Sequence, residues 1–233
     1  MSGKHCPVVP ELSESNKRLS IPNNMSNSFN SNTFNYGSTD NHVEKRHELS
    51  EQLQVYLAEL QQDCGTREQW PHHERFAGEA EFWLQVHKAL LGAAAELPER
   101  CASLLLILDD PVARKKQLTQ LSQLGGQLIH HAHTHHHVED HHFFPVFKRA
   151  YPKLNHHLEL LDGDHRVLTE VLDQLETAFK TMPVINDGTD KANKSLLTVK
   201  AEELYHAARR VDKLFSRHIG DEEEICIPAL LKL

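Results

Sequence analysis

Four stretches of this chain set apolar residues at alternating steps of three and four, and each of the four stripes is interrupted by a histidine. Ala80, Trp83, Leu84, Leu90, Leu91 and Ala94 are broken by His87. Leu118, Leu121, Leu124 and Leu128 run on into His131, His135 and Glu139. Leu158, Leu161, Leu168, Leu172, Leu175 and Phe179 are broken by His165, while Leu204, Ala207, Val211 and Leu214 run on into His218, Glu222 and Ile225. Steps of three and four keep side chains on one face of an α-helix. Four such faces, separated by breakers, bury their stripes best against one another. The expected fold is all-α, an antiparallel up-down-up-down four-helix bundle.

The breakers give the expected bounds. A first helix runs from about Pro71 to Glu96 and stops near Pro98, because proline lacks an amide hydrogen for the helix ladder. The apolar segment Ser103 to Leu108 then leads to Asp109, Asp110 and Pro111, a helix start with proline at its first position. The second helix extends to about Phe144, closed by Pro145. The third begins around Pro152 and ends before Pro183, and the fourth runs from about Asp190 to Ile225 with Pro228 after it. Ahead of them, Leu49, Leu53, Tyr56, Leu57 and Leu60 mark an extra N-terminal helix between Val43 and about Gln62. Residues 1–41 are rich in Asn, Ser and Pro and poor in large apolar residues, so they read as a disordered tail. The expected organisation is a tail over 1–41, a helix and linker over 42–70 and the bundle over 71–233.

Composition removes several function classes. The net charge of −8 and the lack of a Lys/Arg-rich stripe argue against nucleic acid or an anionic membrane surface as partner. The chain has no apolar run long enough for a membrane span, and its start, MSGKHCPVVP, lacks the basic-then-apolar order of a secretion signal. A cytoplasmic location is expected. Cys6, Cys64, Cys101 and Cys226 are scattered with no C-x-x-C pair, and read as ordinary reduced thiols.

Histidine is the outlying residue type: there are nineteen, crowded between His130 and His142 in mid-chain. An internal repeat lies within that excess. HHHVEDHHFFP, from His135 to Pro145, aligns without gaps on HIGDEEEICIP, from His218 to Pro228. In both copies a glutamate follows the histidine by four residues, about 400° of helix rotation, so both side chains project from one face and reach a shared metal. One H-x-x-x-E pair is common on solvated helix faces, and one histidine on an apolar stripe is ordinarily a hydrogen-bonded core residue. Two pairs on core stripes, joined by core histidines on two further helices, point to metal. Histidine with carboxylates across facing helices is the di-iron or di-manganese pattern, whereas structural zinc usually asks for cysteine.

These residues resemble the hemerythrin-like (HHE cation-binding) domain over roughly residues 72–230. The resemblance implies a bundle with two iron ions near its axis. It implies as ligands His87 in FWLQVHKALL, His135 and Glu139 in HHHVEDHHFFP, His165 in LDGDHRVL, and His218 and Glu222 in HIGDEEEICIP. Oxygen-carrying hemerythrins have a second histidine one turn along the third helix and a final aspartate five residues past the last histidine. Here Leu161 and Thr169 are the neighbours on that face, and the last acid is Glu222.

Four imidazoles and two bridging glutamates, with a solvent-derived bridge, leave about one free position on each of two six-coordinate irons. A fifth imidazole would fill one of them and suit end-on carriage. The leading expectation is a protein that binds, senses or scavenges dioxygen, peroxide or nitric oxide, or holds iron. The alternative is a di-iron oxidoreductase acting on oxygen, peroxide or nitrogen oxides, which free positions on both metals favour. His131, one turn before His135, is a candidate fifth donor or a residue orienting a ligand. His133, His136, His137 and His141 are expected on a solvated face, with Asp140 and Glu223 facing outward or bonded to imidazoles that surround the ligands. His72 and His73 lie too far from His87 in register to partner it.

Overall fold

A computed structural model of the chain describes residues 55, 56, 58–183 and 191–233. The expected tail and most of the expected N-terminal helix, with its Leu49, Leu53 and Leu57, lie outside the described residues. Among the described residues every regular element is helical. Residues 58–64 form helix α1, continuing from the helical residues 55 and 56. Then come α2 (Glu79–Leu106), α3 (Pro111–Val138), a π-helical turn (Glu139–Phe143), α4 (Phe144–Ala150), α5 (Asn155–Lys180) and α6 (Lys191–Lys232). Helix α2 packs on α3 and α6, and α5 packs on the same two, so the four long helices close into a ring around a shared core. No described helix is long and apolar enough to cross a membrane.

Several expected bounds shift, each for a physical reason. The first long helix begins at Glu79 rather than near Pro71, because Gly78 adopts φ 122°, which interrupts helical geometry at a residue suited to it. Trp70–His72 form instead a separate 3-10 turn. That helix then runs through Pro98 to Leu106, absorbing the segment expected to be separate. A proline inside a helix costs about 3 kcal/mol. Around it Leu97, Cys101 and Leu104 are fully buried, and each buried leucine contributes about 1.5–3 kcal/mol, so packing outweighs the lost bond. Pro228 is likewise internal to α6, which reaches Lys232 through a run of buried residues from Ile225 to Leu231. Pro145 does not end the second long helix; it sits in the first turn of α4 after the π-helical turn. The start at Asp110 is as expected. Its carboxylate accepts the amides of Val112 and Ala113 at 3.0 Å, with Pro111 behind it.

The core has two apolar clusters with a polar layer between them. One holds Leu90, Ala94, Leu128, Ala132, Leu168, Leu172, Phe215 and Ile219. The other holds Leu60, Trp70, Trp83, Phe144, Phe147, Leu161 and Ile225. Where each long helix passes from one cluster to the other lie the buried residues His87, His136, His165, His218 and Glu222, with Glu139 in the π-helical turn.

Candidate metal centre

The polar layer contains two groups of inward side chains that share one carboxylate. His136, Glu139, His165 and His218 bring ligand atoms within 4.8 Å of one another, and so do His87, His135, Glu139 and Glu222. All six residues expected from the sequence are brought together. Glu139 directs Oε1 to His135 Nε2 at 2.9 Å and Oε2 to His165 Nε2 at 3.4 Å. Glu222 places Oε1 3.5 Å from His87 Nε2 and Oε2 3.3 Å from His218 Nε2. Each glutamate therefore presents one oxygen to each group.

The expectation for His136 is overturned. It is 4% exposed, stacks on His165 at 4.2 Å between ring centroids, and joins the first group. The buried stripe of α3 is Leu121, Gly125, Leu128, Ala132 and His136, continued by Glu139 in the π-helical turn, with Gly125 and Ala132 each one residue on from the expected Leu124 and His131. Gly125 sets that register by letting α3 approach α5: a Cβ there would meet Phe179 Cε2 at 2.3 Å. The sequence signal was that run of small residues, Gly125 and Ala132, at core spacing. His131, His137, His141 and His142 are exposed, so His131 is not the fifth donor.

His135 and His136 differ by about 100° around the helix and straddle its inward line, each serving a different group. The π-helical turn begins at Glu139, whose amide reaches both the His135 and the His136 carbonyls. Such turns recur at functional sites because one extra residue re-aims the helix beyond them. Here that extra residue brings Phe144 and Phe147 into the core.

Carboxylates set the tautomers. His87 Nδ1 lies 3.0 Å from Glu223 Oε1, His165 Nδ1 2.7 Å from Asp140 Oδ1, and His218 Nδ1 3.2 Å from Asp164 Oδ2. A proton held at Nδ1 leaves the Nε2 lone pair for a metal. Asp140 and Glu223 thus bond to candidate ligand imidazoles themselves, neither facing outward nor bonding the imidazoles around them as expected, and Asp164 does the same with no sequence expectation behind it. Nor was Trp83 anticipated here; its indole N–H points to Glu222 Oε1 and His87 Nε2, each at 2.8 Å.

The donor set fits a metal. His87 and His135 face each other through Nε2 at 2.8 Å, and His165 and His218 do so at 3.2 Å. Two imidazole nitrogens so close need a proton or a metal ion between them. Both nitrogens of His136, both oxygens of Glu139 and Oε2 of Glu222 are buried without a hydrogen-bond partner. Their close approaches to other donors lack hydrogen-bond geometry. Unpaired buried polar atoms cost about 1–3 kcal/mol each, so a cluster of them signals a missing charge.

The electrostatics agree. Burial opposes charge on His87, but Glu222, Glu139 and Glu223 outweigh it and push the imidazole up to about 11. Without metal, a proton there stands in for the cation. Burial also opposes charge on Glu222, yet His87 and His218 hold its carboxyl well below the usual range. His136 is driven the other way by burial and by the neighbouring His165, His218 and His135, which keeps it neutral and able to donate a lone pair. The Cys226 thiol is pushed well up by burial and by Glu222 and Glu139, so it stays protonated; Cys64, Cys101 and Cys226 are all free and buried.

A search of curated proteins and of solved structures finds no significant match. The family model for the hemerythrin HHE cation-binding domain matches residues 79–230, a span from the first residue of α2 almost to the end of α6 that takes in both groups of candidate ligands. The chain belongs to the hemerythrin HHE cation-binding family.

Proposed function

We propose that the bundle, an up-down-up-down arrangement of α2, α3, α5 and α6, holds two iron ions and binds one small ligand, such as dioxygen, peroxide or nitric oxide. His136, His165 and His218 would hold one iron, His87 and His135 would hold the other, and Glu139 and Glu222 would each offer one oxygen to either ion. The observation that carries this reading is the asymmetry of the two groups, three imidazoles against two. With one oxygen from each glutamate, the His136 group would offer five protein donors and the His87 group four, so a six-coordinate iron would be one donor poorer on the His87 side. One free position favours binding or sensing over an enzyme that uses both metals. The fifth imidazole that the sequence seemed to lack comes from α3.

Iron bound there supplies a redox-active centre whose valence responds to a small oxygen- or nitrogen-centred ligand. The chain's own residues do the rest. Glu223, Asp140 and Asp164 accept the Nδ1 protons and fix three rings as Nε2 donors. Trp83 steers Glu222. Phe143 and Phe147, with ring centroids 4.5 and 6.1 Å from Trp83, exclude water from the His87 side.

Anaerobic reconstitution with ferrous iron, followed by optical spectra on exposure to dioxygen, peroxide and nitric oxide, tests this reading. Spectra that reverse when the ligand is removed support it. Sustained turnover would favour the oxidoreductase.

A further inference from the structure

The matched family region begins at residue 79, yet a charged side chain from before it reaches a ligand histidine through one intermediary. Glu223 is buried, with Oε1 3.0 Å from His87 Nδ1 and Oε2 2.6 Å from Arg67 Nη1. Both carboxylate oxygens are committed, one to the imidazole and one to the guanidinium.

The loop carrying Arg67 is a built structure. Gly65 leaves α1 at φ 74°, and the Thr66 amide donates to Gln69 Oε1 at 2.9 Å. The Thr66 carbonyl accepts from the Gln69 and Trp70 amides. Trp70 is buried, donates its indole N–H to the Gly65 carbonyl at 3.3 Å, and lies under the guanidinium, 5.4 Å from its ring centroid. The loop's stem is tied to the end of α6 by the Cys64 thiol on the Pro228 carbonyl and by Lys232 on Asp63. Arg67 is therefore aimed at Glu223 by its surroundings, although half of its side chain is exposed.

Chemistry gives that aim a purpose. A histidine that binds metal through Nε2 needs a fixed acceptor at Nδ1. Glu223 sits at Nδ1 of His87, across the ring from the Glu139 and Glu222 carboxylates near Nε2, and Arg67 holds the Glu223 oxygen that His87 does not. We propose that Arg67 is a positioning residue of the metal centre: by holding Glu223 it fixes His87 as a donor, and so couples metal binding on the His87 side to docking of the 65–70 loop. The proposal rests on the metal reading above. Because coupling is reciprocal, metal binding tightens the loop as much as the loop tightens metal binding.

The test compares Arg67→Ala, Arg67→Lys and Lys153→Ala in the full chain. Lys153 pairs with Glu59 at 3.3 Å, so its loss loosens the docking of α1 without touching Glu223. Three quantities are read: iron affinity by competition with a chelator, the reduction potential of the loaded protein, and amide exchange over residues 65–70 with and without metal. Arg67→Ala is expected to weaken iron binding about tenfold to a hundredfold, the range for lost support of a ligand, and to shift the potential. It should also abolish the slowing of loop exchange by metal. Arg67→Lys should recover most of the affinity, and Lys153→Ala should change neither affinity nor potential. Unchanged affinity and potential in Arg67→Ala, or equal losses in Arg67→Ala and Lys153→Ala, would overturn the proposal. Wild-type protein that takes up no iron would refute the metal reading itself, and the proposal with it.

Discussion

Replacing His136 by leucine should have opposite effects on the two forms of the protein. In the metal-free chain both ring nitrogens are buried without a partner, at a cost of about 1–3 kcal/mol. Leucine is of similar size and carries no polar atom, so it removes that cost. It also forfeits the stacking on His165 and on Phe215, whose centroid lies 5.9 Å away, worth about 0.5–1.5 kcal/mol. The net gain is about 1 kcal/mol, a rise in Tm of about 2–4 °C for a chain of this size. In the iron-loaded chain the same change removes one of three imidazoles on its side. Loss of a group that merely supports a ligand costs about 10–100-fold in affinity, so loss of the ligand itself should exceed about 100-fold, or about 2.7 kcal/mol. Calorimetric melts of metal-free protein and chelator competition on the loaded form read the two effects. His137→Ala, on the exposed face, should change neither. A lower Tm in metal-free His136→Leu together with unchanged iron affinity would refute the register assigned to α3.

Iron binding at pH 7 should release protons, because His87 in the metal-free protein stays charged up to about 11; titration calorimetry in buffers of different ionisation enthalpy counts them. The sign for stability follows. A raised folded value makes charged His87 stabilising below its ordinary 6.5, and that contribution is lost as pH climbs toward 11, so metal-free melts at rising pH should fall once other groups are accounted for. Trp83→Phe should leave the helical circular dichroism intact but weaken iron binding by about 1.5–3 kcal/mol, the range for a hydrogen bond to a charged group, as read by chelator competition. Gly125→Ala drives a methyl group into the Phe179 ring and should destabilise the fold by about 1–3 kcal/mol in urea unfolding.

The residues that were legible in the sequence are those where one physical signal dominates. The stripe of α5 has Leu158, Leu161, His165, Leu168, Leu172 and Leu175 all buried, since leucine at core spacing leaves one choice of face. On α3 the same rule misled. Leu124 and His131 looked more core-like than Gly125 and Ala132, but close approach of α3 to α5 selects small residues, and that approach is a property of two helices. His136 followed that register inward. A local rule makes Pro98 and Pro228 helix stops, but the buried residues on the inward face around each, Leu97, Cys101 and Leu104 at the first and Ile225, Cys226, Ile227 and Ala229 at the second, override it. The H-x-x-x-E repeat survived these errors because His135, Glu139, His218 and Glu222 were anchored to each other by spacing. Arg67 and Asp164 carried no sequence signal; they meet their partners only in the folded chain.

The pairing of two metals in unequal ligand sets is read out by anomalous diffraction at the iron edge from crystals of iron-loaded protein. Two iron peaks are expected, one within bonding distance of His136, His165 and His218 and the other of His87 and His135, with Glu139 touching both. A single peak in the bundle, or iron found only on the exposed histidines around His137 and His141, would contradict it.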